Sequence, residues 1–119
     1  MMAIPVKNAA ELEAMRVSGR MTAEVLRQVA EAVRPGVTTG ELDALTRRLI
    51  GEMGAKPSFL GYRGYPGAIC ISINDEVIHG IPGSRVVQPG DVVSLDVGVY
   101  YNGFNGDSAT TVMVGVRDP

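Results

Sequence analysis

Residues 92–114 read VVSLDVGVYYNGFNGDSATTVMV, a pattern that predicts a β-hairpin with an aspartate on each arm. Val92 to Tyr101 is rich in β-branched and aromatic residues, and Asn102-Gly103 is a strong signal for a two-residue hairpin turn. With that turn, Tyr101 pairs with Phe104, Gly98 with Asp107 and Asp96 with Ala109. Side chains alternate along a strand, so Asp96, Gly98, Asp107 and Ala109 share one face. The aspartates become diagonal neighbours, about 7–8 Å apart at the backbone. Only glycine and alanine stand opposite them, which predicts a cleared patch carrying two negative charges.

Two carboxylates on one face repel unless a positive charge lies between them. A divalent cation held by carboxylate oxygens satisfies that requirement. The plainer alternative is that both aspartates face solvent on a half-exposed sheet. A three-residue loop, or a bulge at Gly106, would place them on opposite faces and remove the metal argument.

The 119-residue length bounds the chain to one domain at most. A net charge of −2 carries no electrostatic footprint for nucleic acid or an anionic membrane. The single cysteine, Cys70, excludes an intramolecular disulfide and a Cys-rich zinc site, and fits a reducing compartment. No signal-peptide core and no apolar run of membrane-spanning length is present, so the expected location is cytoplasmic.

Asn8 reads as the N-cap of a long first helix, with Leu12, Met15, Thr22, Leu26, Val29 and Val33 on one apolar stripe. Gly19 in that helix is expected to mark close packing, because glycine there costs about 1 kcal/mol against alanine. Pro35-Gly36 ends the helix, and Thr38 to Glu41 reads as a capping box. The second helix carries Leu42, Leu45, Leu49 and Met53 on one side and ends at Gly54. The glycine-rich segment 57–68 holds Phe59, Tyr62 and Tyr65, which act either as core anchors or as pocket walls. Ile69 to Ile73 is a strand, Asn74 to Glu76 a turn, and Val77 to His79 the start of a returning strand. Gln88-Pro89-Gly90-Asp91 suits a type II turn. Two helices followed by at least four strands give an α+β class, with the helices on one face of an antiparallel sheet. His79 is the only histidine; a lone histidine at a strand end is more often structural than functional, although the Gly-Ile-Pro-Gly after it keeps bulk away. Cys70, between Ile69 and Ile71, reads as a buried small hydrophobe with nothing to mark it as a nucleophile. No Ser-His-Asp arrangement, phosphate loop or zinc-finger spacing is present.

The string LGYRGYPGAICISINDEVIHGIPGSRVVQPGDVVSLDVGVYYNGFNGDSATT, together with PGVTTGELD upstream, closely resembles the type I methionine aminopeptidases. GYRGYP, CISINDEVIHGIP, GDVVSLD and GFNGDSATT are its most specific pieces. The resemblance implies half of a two-part "pita-bread" fold, residues 1–119 standing for its N-terminal half. It implies metal-dependent removal of the N-terminal methionine of nascent peptides, with two divalent ions (Co, Mn, Fe or Zn) per complete site. Asp96 and Asp107 match the family's two aspartate ligands, one binding a single ion and the other bridging two. His79 matches a histidine that contacts the substrate near the scissile amide. Tyr62, Tyr65 and Cys70 match residues lining the methionine side-chain pocket, and Phe59 stands there where many relatives have a smaller residue. Arg63 stands where some have histidine.

The departure is equally plain. The family's second half brings a histidine and two glutamates as further ligands, and this sequence has neither residue type after Asp107. Two aspartates alone do not fix a two-metal site, so the chain alone is expected to be inactive, as a truncated product or cleavage fragment whose partner is the missing C-terminal half. The alternative from another class is a stand-alone half-fold serving as a non-catalytic binding or assembly module, paired with a second copy of itself. A third reading keeps the fold with a proline-directed or creatinase-like activity, against which CISINDEVIHGIP argues.

Overall fold

The computed structural model describes residues 8–60, 64–74 and 81–115. Both helices begin where the sequence supplies a cap. The Asn8 side chain accepts the Glu11 N–H at 2.8 Å while Glu11 Oε1 accepts the Asn8 N–H at 3.2 Å, opening α1 (Ala9–Ala32). Thr38 and Glu41 repeat this reciprocal box at the start of α2 (Thr39–Glu52). Gly54, at φ +73°, takes the left-handed position just beyond α2. Four strands follow: β1 (Lys56–Pro57), β2 (Ile69–Ile73), β3 (Val92–Tyr101) and β4 (Phe104–Met113). The Gln88–Asp91 turn carries Gly90 at φ +90°, as a type II turn requires.

All pairings are antiparallel and centre on β3. β4 runs along one side of β3, while β2 and the short β1 share the other side at different heights. One face of this sheet is apolar: Val93, Leu95, Val97 and Val99 of β3 lie beside Ile69, Ile71 and Ile73 of β2. They pack with Val25, Leu26 and Val29 of α1 and Leu42, Leu49 and Ile50 of α2. Each such side chain contributes about 1.5–3 kcal/mol on burial. α1 crosses β3 and β4, and α2 covers β1 and β2. The α+β arrangement, with both helices on one face, is as the sequence predicts. It leaves the opposite sheet face, the aspartate face, uncovered by helix. Among the described residues no helix is long and apolar enough to cross a membrane.

Three local expectations change. Leu12 and Met15 are exposed, and the first half of α1 instead buries Ala14, Ser18 and Thr22. Small side chains are needed there because β4 comes in very close. Ser18 Oγ shares its proton between Tyr101 O at 3.1 Å and Phe104 O at 3.0 Å, on the two sides of the hairpin turn. Gly19 is exposed with open space around it, so it does not mark close packing; Gly106 on β4 does. Cys70 is only half-buried, because it alternates with Ile69 and Ile71 and points to the opposite face. The returning strand expected at Val77 to His79 lies outside the described residues, as do Tyr62 and Arg63.

Candidate metal centre

The hairpin register places the two aspartates as the sequence predicts. Tyr101 pairs with Phe104, Gly98 with Asp107 and Asp96 with Ala109. Asn102 and Gly103 have φ of +52° and +88°, the double left-handed geometry of a type I′ turn. No bulge interrupts the ladder from Val92–Met113 to Tyr101–Phe104, so Asp96 and Asp107 occupy one face.

That face has a neighbour on its other side. β2 pairs Cys70 with Asp96 and Ser72 with Ser94, so Cys70, Asp96 and Ala109 form one row across three strands. The patch beside Asp107 is not open, however. A Cβ at Gly98 would lie 2.9 Å from Ser58 Cβ and 3.1 Å from Phe59 Cε1, so the clearance is taken up by segment 58–59. Ser58 Oγ donates to Asn105 Oδ1 at 2.8 Å, clasping that segment to β4. Phe59 is half-buried, and its ring reaches Gly98, the residue paired with Asp107.

Asp96 is electrostatically unusual. Its Oδ1 is buried and has no hydrogen-bond partner among the described residues. Burial first, then the hydrogen bond and charge of Asp107, push the Asp96 carboxyl up to about 6. The pair resists losing its last proton because two adjacent carboxylates repel in a partly desolvated place. A buried carboxylate oxygen without a donor is costly unless a cation meets it. The oxygen-only donor pair therefore fits a hard or borderline divalent ion as part of its coordination shell. It fits only as a part: no group of three or more His, Cys, Asp or Glu able to hold a metal occurs among the described residues.

Tyr65 is half-buried, and its hydroxyl donates to Ile69 O at 2.9 Å. Burial first, then the neighbouring Cys70 and Asp43, raise its phenol above the ordinary tyrosine range. Tyr65, Phe59 and Cys70 thus lie in the segments and strand adjoining the carboxylate pair. Tyr62 and His79, the other two residues singled out by the sequence, lie outside the described residues. Sequence reasoning missed Ser58 and Asn105, whose side-chain bond joins residues 47 positions apart.

Residues 13–119 match the metallopeptidase family M24. The chain belongs to that family. It is 48% identical to methionine aminopeptidase 1 of Bacillus subtilis over 92% of this chain and 44% of that protein. Identity to the methionine aminopeptidase of Aquifex aeolicus is also 48%, over 99% of this chain and 48% of the other. The fold superposes on the methionine aminopeptidase of Rickettsia prowazekii with a TM-score of 0.90 at 37% identity, covering 96% of this chain and 46% of that one. For the Thermotoga maritima enzyme the values are 0.89, 40%, 98% and 47%. The prolidase of Pyrococcus furiosus, at 23% identity and a TM-score of 0.80, shares the fold alone. The chain spans about half the length of the curated relatives it matches. The resemblance to methionine aminopeptidases and the half pita-bread fold are both borne out, and the family is one of metal-dependent peptidases.

Proposed function

We propose that this chain is the N-terminal half of a methionine aminopeptidase, and that the whole protein removes the N-terminal methionine of nascent polypeptides. The observation that carries this reading is the Asp96–Asp107 pair: one sheet face, one buried unbonded oxygen and a raised carboxyl, in a chain 48% identical to methionine aminopeptidases. Asp96 and Asp107 hold the divalent ions on their protein side. Such ions, when bound, lower the pKa of water and polarise a carbonyl. The chain's own further contribution is the wall beside the carboxylates. Phe59, Tyr65 and Cys70 offer aromatic and sulfur surface, which suits a methionine thioether.

The 119-residue chain alone is inactive on this reading. Two carboxylates leave the metal shell incomplete, and general-base help, worth about 10²–10⁴-fold, has no group assigned to it here. The test is to mix this chain with the separately expressed second half of the Bacillus subtilis relative, add Mn²⁺ or Co²⁺, and measure methionine release from Met-Ala-Ser. The pair should release methionine, and Asp96→Asn or Asp107→Asn should abolish it. Release by this chain alone, lost on Asp96→Asn, would replace the reading with a site completed by a second copy.

A further inference from the structure

α2 lies on the helix side of the sheet and holds backbone that leads to the carboxylate face. Asp43 is buried, at 8% exposure, although it is charged and belongs to a surface helix. Its Oδ1 accepts the Ala68 N–H at 2.7 Å, and its Oδ2 accepts Arg47 Nε at 2.8 Å. Arg47 Nη2 in turn donates to Pro66 O at 2.7 Å. Both bonds that leave the helix go to main chain, on either side of Gly67. That glycine is itself wedged, since a Cβ there would lie 2.9 Å from Pro82 Cδ and 3.1 Å from Tyr65 Cε2. Pro82 is held by the same helix start: Gly83 N–H donates to Thr39 Oγ1 at 2.8 Å, and Gly40 N–H donates to Gly83 O at 2.8 Å. Segment 65–68 is therefore gripped by α2 and pressed by Pro82. Immediately after it the chain enters β2 and presents Cys70 opposite Asp96.

We propose that Asp43 and Arg47 are positioning residues, whose clasp on the backbone of residues 66–68 fixes Tyr65 and Cys70 beside the carboxylate face. The functional weight of the clasp rests on the reading above, in which Tyr65 and Cys70 line the methionine pocket. Net stability is a poor reason for the pair, because Arg47 is largely open to solvent and ion pairs of that kind contribute little. Its bonds to two main-chain groups two residues apart instead set the path of one short segment. A shift of an ångström there moves a pocket wall, and such shifts cost binding and rate far from the chemistry.

The test uses Cys70, the sole cysteine of the chain, as a reporter. Modification by DTNB is timed in the 119-residue chain and in Arg47→Met, Asp43→Asn and Asp43→Ala. Arg47 is 44% exposed at its side chain, so Arg47→Met should keep the fold and remove only the bond to Pro66 and the ion pair. Cys70 should react several-fold faster in Arg47→Met at an unchanged urea midpoint. In Asp43→Ala the rate should rise about tenfold, as expected when the buried Ala68 N–H loses its acceptor and the segment opens locally. Asp43→Asn keeps the acceptor for Ala68 N–H but loses the one for Arg47 Nε, so its rate should fall between wild type and Asp43→Ala. In the reconstituted pair, Arg47→Met should raise KM for Met-Ala-Ser while kcat is retained. Equal Cys70 rates in wild type, Arg47→Met and folded Asp43→Ala would overturn the proposal; should Asp43→Ala not fold, an unchanged rate in Arg47→Met overturns it. A wild-type pair without activity would remove the aminopeptidase reading, while the Cys70 rates would still decide the clasp.

Discussion

Gly106 of β4 lies directly against Ser18 of α1: a Cβ at 106 would come 2.6 Å from the Ser18 carbonyl oxygen and would also strike the Thr22 hydroxyl. This contact brings the helix down onto the core face of the hairpin. The aspartates, on the other face of the same two strands, are thereby held on a stiff support and left uncovered by helix. The Thr22 hydroxyl donates back to Ser18 O at 2.7 Å, so both helix residues are occupied at the contact.

Gly106→Ala should therefore be among the more damaging single-atom additions in this chain. The obstruction includes backbone, which cannot rotate away, so α1 must lift from β4. A loss of about 1–3 kcal/mol is expected, as for overpacking of a close-packed interior. Urea unfolding followed by circular dichroism measures it; a midpoint equal to wild type would show that the contact has slack.

Gly19→Ala should do the opposite. The position is exposed in mid-helix with nothing within 4 Å of a new Cβ. Alanine there gains about 0.5–1 kcal/mol through helix propensity and a less flexible unfolded chain. A lower melting temperature than wild type would mean that Gly19 serves a contact outside the described residues.

The contrast between these two glycines shows where the sequence was legible and where it was not. The hairpin register follows from Asn102-Gly103, because a two-residue turn fixes every later pair. The helix starts follow from Asn8 and from Thr38 with Glu41, since caps are local chemistry. Which glycine is pressed by its neighbour depends on how α1 docks on β4, and no local pattern encodes that. The same limit hid Cys70 from its place beside Asp96, because β2 meets β3 across more than 20 residues of chain. It also hid Ser58, and the contact by which Ser58 and Phe59 fill the clearance at Gly98 from a distant segment. Leu12 and Met15 fit the apolar stripe, yet small residues were selected on the buried face by the closeness of β4.

Gly98→Ala should disturb the site more than the fold. The new Cβ meets Ser58 Cβ at 2.9 Å and Phe59 Cε1 at 3.1 Å, both side-chain atoms of a half-buried segment. That segment can move, so the stability loss should be smaller than for Gly106→Ala. The shift displaces Phe59 from beside Gly98, the partner of Asp107, and in the reconstituted pair KM for Met-Ala-Ser should rise more than kcat falls. Unchanged KM would show that Phe59 does not border the substrate.

Metal binding should switch with pH around the value set by Asp96. Burial and Asp107 raise its carboxyl from near 3.8 to about 6, so the folded chain holds this proton more tightly than the unfolded one. The stability associated with this proton is fully present below the ordinary carboxylate value and is lost as pH rises through about 6. Asp91 runs the other way: bonds from the Gln88 N–H and then the Asn74 amide lower its carboxyl, stabilising the fold above the unfolded value. Asp96→Asn should therefore remove the falling limb of stability between pH 4 and 6 without touching the Asp91 effect. A cation must displace the Asp96 proton, so Mn²⁺ affinity should rise about tenfold per pH unit below the raised value and level off above it. Affinity in this chain should be weak, because few protein ligands are in place. Calorimetric titration at pH 5 and pH 7 measures both points, with Asp107→Asn as the control that abolishes binding. Tight binding that survives Asp107→Asn, or affinity independent of pH over that range, would place the metal elsewhere than on this carboxylate pair.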